Sequence, residues 1–377
     1  MIVVIPKEIH PLETRTAATP ATVKELIKSG LNVRIESGAG LASFISDSDY
    51  QDAGAEILIS GSEVLSQADI VLKVLPPSDN EISQLRPNSV YVSFIQTTRE
   101  LKTVKALAEK SITGFSMHLI PRTTLAQKMD ALSSQANIAG YKAVLIAATR
   151  LGVYMPLLMT AAGTIRPAKV LILGAGVAGL QAIATAKRLG AQVEAFDVRP
   201  VVKEQVESLG AKFIEVESDS DEGVGEGGYA KETSDEYKRR QQELIHDHMS
   251  KADIVITTAL IPGRPAPLLI PTSMVDDMKP GSIIMDLAAE NGGNCELTQK
   301  DQVIDYNGVT IDGTSNIPGT LPVHASELYA KNIAAFLTYM VKDGELNLDL
   351  DDEIISGAMF THRGEITHEP TQEAMNT

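Results

Sequence analysis

Short apolar runs alternate with longer amphipathic segments along the first 120 residues of the chain. The runs have the length and branched aliphatic composition of buried strands, whereas the longer segments have helical spacing. Strands are predicted at residues 2–5, 32–36, 70–74, 89–95 and 112–117, and helices at about 21–29 and 99–109. Strands that alternate with helices in this way predict a parallel α/β sheet.

The same alternation resumes after a long helical segment that ends at about Leu151. Strands are predicted at residues 169–173, 192–196, 212–216, 254–258 and 282–287, with helices at about 180–189, 202–209 and 234–250. A further helix, at about 324–340, is expected to return to the first sheet. A chain of 377 residues is too long for one ordinary core. We therefore expect two domains, one of residues 1–132 completed by 322–377 and one of residues 133–321.

A glycine pattern follows the apolar strand predicted at residues 169–173. Gly174, Gly176 and Gly179 form G-x-G-x-x-G directly before a predicted helix. The first glycine permits a tight turn, the second lets the backbone approach a pyrophosphate, and the third lets the helix pack close to the strand. The helix N-terminus adds N–H donors and the positive end of the dipole. The pattern predicts a dinucleotide site, and with it two Rossmann-like parallel-sheet domains, the first discontinuous, with a cleft between them.

Asp197 ends the next predicted strand, 18 residues after Gly179, where a ribose-binding acid belongs. Its carboxylate can accept hydrogen bonds from both ribose hydroxyls and would repel a 2′-phosphate, so NAD(H) is expected rather than NADP(H). Arg199 follows two residues later and leaves two interpretations open. It could neutralise a 2′-phosphate, or it could contact the adenine or the solvent.

Composition and charge narrow the class of protein. Apolar residues at 44% and charged residues at 22% are typical of a globular chain. The formal charge of −16 argues against nucleic acid and against anionic lipid. The longest apolar regions, 143–165 and 333–341, are interrupted or too short to span a bilayer, so no direct membrane insertion is expected. A single cysteine and the lack of a signal peptide are expected of a cytoplasmic protein. No metal site is predicted.

Two polar segments interrupt the pattern. Residues 218–229 are rich in Asp, Glu, Gly and Ser and have no apolar period, which predicts a mobile loop at about 217–231. It is either a solvated linker or a lid, because it leaves the carboxyl end of a strand, where doubly wound sheets bind ligands. At the domain junction, Arg122, Gln127 and Asp130 supply a cation, an amide and an anion. They are either ligand-binding residues or an exposed helix start with ordinary caps.

The sequences 174–182, 227–232, 257–263 and 286–288 together resemble the NAD(H)-binding component of proton-translocating nicotinamide nucleotide transhydrogenase, a family similar to alanine dehydrogenase. The resemblance runs over essentially the whole chain. It is most specific at residues 122–135, which match the Arg-Gln-Asp loop of that family. It implies hydride transfer between NAD(H) on this chain and NADP(H) on a separate beta subunit, coupled to proton movement by a membrane-spanning subunit. It further implies a homodimer attached to the inner face of the membrane through those partners.

The resemblance also implies individual roles. Arg122, Gln127 and Asp130 are expected to hold the nicotinamide end and to be the catalytic residues. Tyr229 is expected to close over the nucleotide. The expected NAD(H)-binding residues are Ser133, Gly174, Gly176, Val177, Gly179, Asp197, Val198, Arg199, Gly228, Tyr229, Gln241 and Leu260.

A chemical argument separates this reaction from that of the alanine dehydrogenases. Oxidation of an amine or alcohol needs a proton acceptor beside the hydride donor, whereas exchange between two nicotinamides does not. The resemblance implies two catalytic residues in the alanine dehydrogenases, a His after the strand predicted at 89–95 and an Asp in the turn after Asp286. This chain has no His in the stretch ending in Gln96, and Glu290 replaces the Asp. Arg15 and Lys73, which match their carboxylate-binding pair, are nevertheless present. Two alternatives stay open, an amino-acid dehydrogenase and a non-catalytic NAD(H)-sensing module.

Overall fold

Two compact units make up the chain. The structure is a computed structural model that describes residues 1–59, 61–216, 235–261 and 264–376. Unit 1 comprises Met1–Gln135 and Pro318–Thr377, and unit 2 comprises Ala136–Ile317. In chain order, the strands within the described residues are β1 (Ile2–Ile5), β2 (Asn32–Glu36), β3 (Glu56–Leu58), β4 (Ile70–Leu72), β5 (Val90–Ser93), β6 (Thr113–Ser116), β7 (Leu158–Thr160), β8 (Gly163–Ile165), β9 (Lys169–Leu173), β10 (Gln192–Phe196), β11 (Lys212–Ile214), β12 (Ile254–Thr257), β13 (Ile283–Asp286), β14 (Val303–Tyr306), β15 (Val309–Asp312), β16 (Val341–Lys342), β17 (Glu345–Leu346), β18 (Met359–His362) and β19 (Glu365–Ile366).

Helices connect these strands. Over the same residues they are α1 (Pro20–Lys28), α2 (Asp47–Asp52), α3 (Gly61–Ser66), α4 (Asp79–Gln84), α5 (Leu101–Glu109), α6 (Ala131–Arg150), α7 (Val177–Arg188), α8 (Lys203–Ser208), α9 (Asp235–Met249), α10 (Thr272–Asp276), α11 (Pro322–Met340), α12 (Glu353–Ala358) and α13 (Glu369–Met375). Short 3-10 helices include Leu41–Ser43, Leu125–Met129, Pro200–Val202 and Ala289–Asn291. In the described part of the chain, no helix is long and apolar enough to cross a membrane.

The sheet of unit 1 has the strand order β19-β18-β6-β5-β4-β1-β2-β3. From β6 to β3 all pairs are parallel, and β18 and β19 add an antiparallel edge. The central strand β1 is almost fully buried, as its unbroken apolar sequence predicts. Thr19 caps α1 in a capping box with Thr22, and Pro20 occupies the first helical position. Helix α11 packs its buried Tyr329, Phe336 and other apolar residues into the core of this sheet.

The sheet of unit 2 has the order β11-β10-β9-β12-β13-β15-β14, parallel except for β14. The strand β9 lies between β10 and β12. The chain therefore adds β10 and β11 on one side of β9 and then crosses to add β12 on the other side. In doubly wound sheets this switch point is where ligands bind. The predicted class of parallel α/β sheets is therefore confirmed.

Helix α7 begins at Val177, three residues earlier than the predicted Leu180. Glycines lower helix propensity, which is why the pattern pointed to a start after Gly179. Close packing overrides that preference. A Cβ at Gly179 would lie 1.8 Å from the carbonyl oxygen of Gly174, and a Cβ at Gly140 on α6 would lie 2.0 Å from that of Ala178. Helix α7 thus sits directly against both β9 and α6.

Candidate functional site

The glycine loop of unit 2 has the geometry of a phosphate cradle. Gly174 turns the chain after β9 with φ +103°, a conformation that favours glycine. Gly176 is the N-cap of α7, and a Cβ there would have no neighbour closer than the Arg199 guanidinium at 4.0 Å. The loop is therefore open in front of Gly176 and tightly packed behind Gly179. The exposed Val177 begins the helix, whose first-turn N–H groups have no intrahelical acceptor.

Asp197 is buried beside this loop, and its carboxylate is already engaged. Oδ2 accepts from the amide of Ala175 at 2.7 Å and from Nη2 of Arg199 at 2.8 Å. Oδ1 accepts from the amide and from Nε of Arg199, both at 2.9 Å. A carboxylate has about four acceptor sites, so ribose hydroxyls would have to replace Arg199 on Asp197. The sequence predicted that both residues belong to the site but not that they pair. Val198, half-buried, lies between them.

A second turn approaches the glycine loop from the end of β12. The hydroxyl of Thr258 donates to the carbonyl oxygen of Gly174 at 3.0 Å. Ala259 is held by the side chain of the fully buried Asn294, which accepts from its amide at 3.1 Å and donates to its carbonyl oxygen at 2.9 Å. Leu260 follows with 43% of its surface exposed. Asn294 thus fixes the turn that carries the predicted contact residue Leu260.

The carboxylate of Asp286 supports this turn from beneath. It is fully buried and accepts hydrogen bonds from the hydroxyls of Thr257 and Thr298 and from the amides of Ala288, Asn294 and Cys295. Residues 286–288 carry part of the family resemblance, but neither Asp286 nor Asn294 was assigned an individual role in the site from the sequence. An acid at the end of an apolar strand was the available signal. The buried Cys295 thiol has its pKa raised by burial to about 11, so it is not a reactive thiol.

The remaining predicted site residues of unit 2 are Gln241, Gly228 and Tyr229. Gln241, on α9, is 8% exposed. Gly228, Tyr229 and the predicted loop at about 217–231 lie outside the described residues. Over the described part of the chain, no group of three or more His, Cys, Asp or Glu side chains could hold a metal ion.

In unit 1, the polar junction segment forms a pocket of about 260 Å³. Arg122 and Gln127 are exposed, whereas Asp130 and Ser133 are half-buried. The pocket is lined by Pro121, Arg122, Thr123, Thr124, Ala126, Gln127, Asp130 and Ser133. The four expected ligand-binding residues of this segment therefore line one cavity.

Asp130 also caps helix α6. Its Oδ1 accepts from the amide of Ser133 at 2.9 Å, and its Oδ2 accepts from the hydroxyl of Ser133 at 2.6 Å. The interpretation as an ordinary helix start is thus correct for Asp130, and the same side chain still lines the pocket. Fixing the carboxylate on the first turn of a helix makes its position depend on how that turn is held.

Arg15 and Lys73 lie in buried ion pairs of unit 1. Nη2 of Arg15 is 2.7 Å from the Glu13 carboxylate, and Nζ of Lys73 is 2.6 Å from Glu81 and 3.5 Å from Glu8. Burial raises the pKa of Glu8 to about 7, although Lys73 opposes the shift. These contacts support a role for Arg15 and Lys73 as structural ion-pair partners within the first domain.

His118 lies next to this cluster. Its ring packs on Phe94 with 4.8 Å between centroids, and burial, together with the charge of Arg15, lowers its pKa to about 4. A neutral, weakly basic imidazole in an aromatic environment is poorly suited to accept a proton at neutral pH. At the positions expected to differ from alanine dehydrogenases, Gln96 is half-buried and Glu290 is exposed.

Comparison with known proteins places these features in context. Residues 4–139 match the family model described as alanine dehydrogenase/PNT, N-terminal domain, and residues 143–369 match alanine dehydrogenase/PNT, C-terminal domain. The chain is 46% identical to a Rhodospirillum rubrum protein named as the first part of NAD(P) transhydrogenase subunit alpha, over 98% of each sequence. Among solved structures, it resembles the transhydrogenase from Sinorhizobium meliloti with a TM-score of 0.87 and 46% identity, over 97% of this chain and 100% of that one. It also resembles an L-alanine dehydrogenase with a TM-score of 0.85 and 25% identity, over 100% and 99%.

Proposed function

Because this chain belongs to the alanine dehydrogenase/PNT family, we propose that it is the NAD(H)-binding subunit of a proton-translocating transhydrogenase. NAD(H) is its cofactor, and NADP(H) is the cofactor of its partner subunit. Hydride passes directly between the two nicotinamides. The relatives named transhydrogenase, which match nearly the whole chain at 46% identity, support this choice over the more distant alanine dehydrogenase.

The observation that carries the proposal is the pocket at Arg122, Gln127, Asp130 and Ser133. Six of its eight lining residues are polar or charged, and these six belong to the segment that the resemblance assigns to the nicotinamide. Hydride exchange between two nicotinamides needs approach, alignment and exclusion of water, and it needs no proton acceptor. We assign Arg122, Gln127 and Asp130 to alignment of the ring and Ser133 to NAD(H) binding.

In unit 2, the glycine loop and α7 hold the pyrophosphate in this proposal. Asp197 accepts from the ribose once Arg199 releases it, and Val198, Gln241 and Leu260 line the nucleotide. Gly228 and Tyr229 close over it as a lid. We propose that residues 1–132 with 322–377 and residues 133–321 act as the two domains of this mechanism.

The partners follow from the same assignment. The Rhodospirillum rubrum relative is named as belonging to a subunit. We propose that this chain works with an NADP(H)-binding beta subunit and a membrane-spanning subunit, and that these partners hold it at the cytoplasmic face of the membrane.

A homodimer is part of the proposal. Strands β7 and β8 pair with each other and, among the described residues, with no other strand. A two-stranded ribbon is marginally stable alone in water. The ribbon and the residue before it expose Leu157, Met159 and Ile165 at 55%, 72% and 43%. We propose that the ribbon β7–β8 packs against a second copy of the chain.

Reconstitution tests the function. The purified chain is expected to bind NADH and to reduce an NADP⁺ analogue only when its NADP(H)-binding partner is added. Without the partner, neither alanine nor pyruvate should turn over NAD(H). Absence of exchange with an authentic partner, or alanine-dependent NAD⁺ reduction by the chain alone, would reject the proposal in favour of a sensing module or a dehydrogenase.

The variant Gln127→Asn tests the pocket. Shortening the side chain removes about one methylene of reach, so ring alignment is expected to suffer while NADH affinity stays within about twofold. Exchange in the reconstituted complex should slow by about tenfold or more. Gln51→Asn makes the same change on the exposed face of α2 and serves as the control. Equal rates for Gln127→Asn and the wild type would remove Gln127 from the site.

A further inference from the structure

The pocket segment is held in place by polar contacts from helix α11. The side chain of Asn332 donates from Nδ2 to the carbonyl oxygen of Lys128 at 2.8 Å and accepts at Oδ1 from the hydroxyl of Ser134 at 2.7 Å. These two contacts bracket Asp130, one before it and one after it. Ala126 and Met129, in the 3-10 helix Leu125–Met129, and Ala131, at the start of α6, are buried in the core of unit 1. Apolar packing and these hydrogen bonds therefore hold the segment together.

Gln135 supplies the next contact along α6. It is 6% exposed and donates from Nε2 to the carbonyl oxygen of Ala325, on α11, at 3.0 Å. Its Oε1 accepts from Nη1 of Arg15 at 2.9 Å. A buried amide with both ends satisfied in this way has one orientation. That orientation fixes the second turn of α6 relative to α11.

Arg15 is itself locked. Nε and Nη2 donate to the two carboxylate oxygens of Glu13, at 2.8 and 2.7 Å, in a bidentate pair. The Glu13 carboxylate also accepts from the backbone amide of Arg15 at 2.9 Å. The planar guanidinium can point Nη1 in a single direction while this pair holds, and in that direction lies Gln135.

We propose that Arg15 and Gln135 are positioning residues for hydride transfer. Glu13 orients Arg15, Arg15 orients Gln135, and Gln135 fixes the start of α6. The first turn of α6 holds Asp130 in the pocket, so the pair sets the position of this group that aligns the ring. The inference rests on the proposed function and assigns Arg15 a role other than binding a substrate carboxylate.

The contacts disfavour the carboxylate-binding role. A substrate carboxylate would have to displace Glu13 or the amide of Gln135 from a guanidinium that is 7% exposed. Removing Gln135 from Arg15 would leave its Oε1 buried without a partner, which is costly. Lys73 is in the same state, because Nζ lies 2.6 Å from Glu81 in a side chain that is 1% exposed.

A double-mutant cycle tests the coupling. Arg15→Lys keeps the charge beside Glu13 but loses the fork that reaches Gln135, and Gln135→Met keeps the volume but loses both hydrogen bonds. Each single variant is expected to slow exchange in the reconstituted complex by about tenfold or more while the Kd for NADH changes by less than about twofold. The double variant should be about as slow as the slower single one. Tyr50→Phe, which removes a buried hydrogen bond to Ala18 elsewhere in unit 1, is the matched control and should exchange at the wild-type rate.

Three results of the rate and affinity measurements would overturn the proposal. They are single variants within about twofold of the wild-type rate, a loss of NADH affinity equal to the loss of rate, or a double variant whose loss is the product of the two single losses. Amide hydrogen exchange over residues 121–135 gives a second readout that needs no activity. Gln135→Met should speed amide hydrogen exchange in this segment, and Tyr50→Phe should not. Unchanged amide protection in Gln135→Met would also count against the proposal. If the wild-type complex transfers no hydride, the proposed function fails. Amide hydrogen exchange then still shows whether Gln135 holds residues 121–135 in place.

Discussion

At the scale of single residues, the ion pair between Asp197 and Arg199 is the feature that sequence could not foresee. The position of Asp197 at the end of β10 follows from strand length and the distance from the glycine loop, both of which are local. The bidentate contact from Arg199 depends on how the chain turns between residues 197 and 199 and on which rotamer the loop permits. Tertiary packing determines this turn and this rotamer. Neither interpretation of Arg199 from the sequence therefore included its pairing with Asp197.

This pair gives a prediction for cofactor choice. Asp197→Ala removes the proposed ribose acceptor and releases Arg199, whose guanidinium is then expected to reach a 2′-phosphate. NADH affinity is expected to fall by about tenfold or more, and the preference over NADPH to narrow. Fluorescence titration with both nucleotides measures the two constants. The double variant Asp197→Ala/Arg199→Ala should lose any increase in NADPH affinity that the single variant shows. An unchanged preference for NADH over NADPH in Asp197→Ala would show that Asp197 does not discriminate between the two cofactors.

The buried Glu8 gives a prediction for pH dependence. Desolvation raises its pKa from 4.5 to about 7, against the attraction of Lys73 and with the help of Glu13 and Glu81. The folded state therefore binds more protons than the unfolded state between these values, and the contribution of Glu8 to stability falls as pH rises through that window. The shift corresponds to a loss on the order of 3 kcal/mol. This loss arises because the ionised Glu8 carboxylate is destabilised by burial.

Glu8→Gln should remove this loss. Its free energy of unfolding, minus that of the wild type, is expected to rise by roughly 3 kcal/mol between pH 4.5 and pH 7.5. Urea unfolding at four pH values measures the difference. His118 changes stability in the opposite direction below pH 6.5, but it is present in both proteins and cancels. The exposed Glu25→Gln is the control, and parallel pH profiles for Glu8→Gln and the wild type would contradict the assignment.

At the scale of elements, the hydrophobic pattern located the central strands and the long helices well. It missed β18 and β19, which join the edge of the first sheet from the far end of the chain. It also missed β3, β14, β15 and the ribbons β7–β8 and β16–β17. These strands are short, lie at or next to a sheet edge or in isolated ribbons, and are specified by their partners rather than by an apolar run. The start of α7 was placed too late for a related reason, since contact with β9 outweighs the low helix propensity of glycine.

Gly179 tests that contact. A Cβ there would lie 1.8 Å from the Gly174 carbonyl oxygen, which is backbone and cannot rotate away. Gly179→Ala is therefore expected to push α7 from β9, to lower the free energy of unfolding by about 1–3 kcal/mol and to weaken NADH binding by about tenfold. Chemical denaturation and NADH titration measure both. Gly152→Ala, which has nothing within 4 Å, should change stability by about 0.5 kcal/mol or less. Equal NADH affinity in the two variants would show that close packing of α7 is not needed.

At the scale of the whole molecule, the family and the fold class were predictable because they depend on many residues at once. The glycine pattern, its flanking strands and the junction segment agree with one another, and the comparisons confirm the family. The anchoring of the pocket segment was not predictable. Asn332 reaches Lys128 over 204 residues and Gln135 reaches Ala325 over 190, and no local pattern records such pairs.

The ribbon β7–β8 carries the last prediction, which concerns assembly. Met159 exposes 72% of its surface on a ribbon whose strands have no other partner among the described residues. If a second copy covers the ribbon, Met159→Glu places a charge in an apolar interface, where it is costly without a partner. The dimer dissociation constant is then expected to rise by about tenfold or more. Sedimentation at several concentrations measures it. Ile59→Glu changes a side chain that is 93% exposed in unit 1 and should leave assembly unchanged. A wild-type monomer at micromolar concentration, or an equally tight Met159→Glu dimer, would assign the ribbon to another contact.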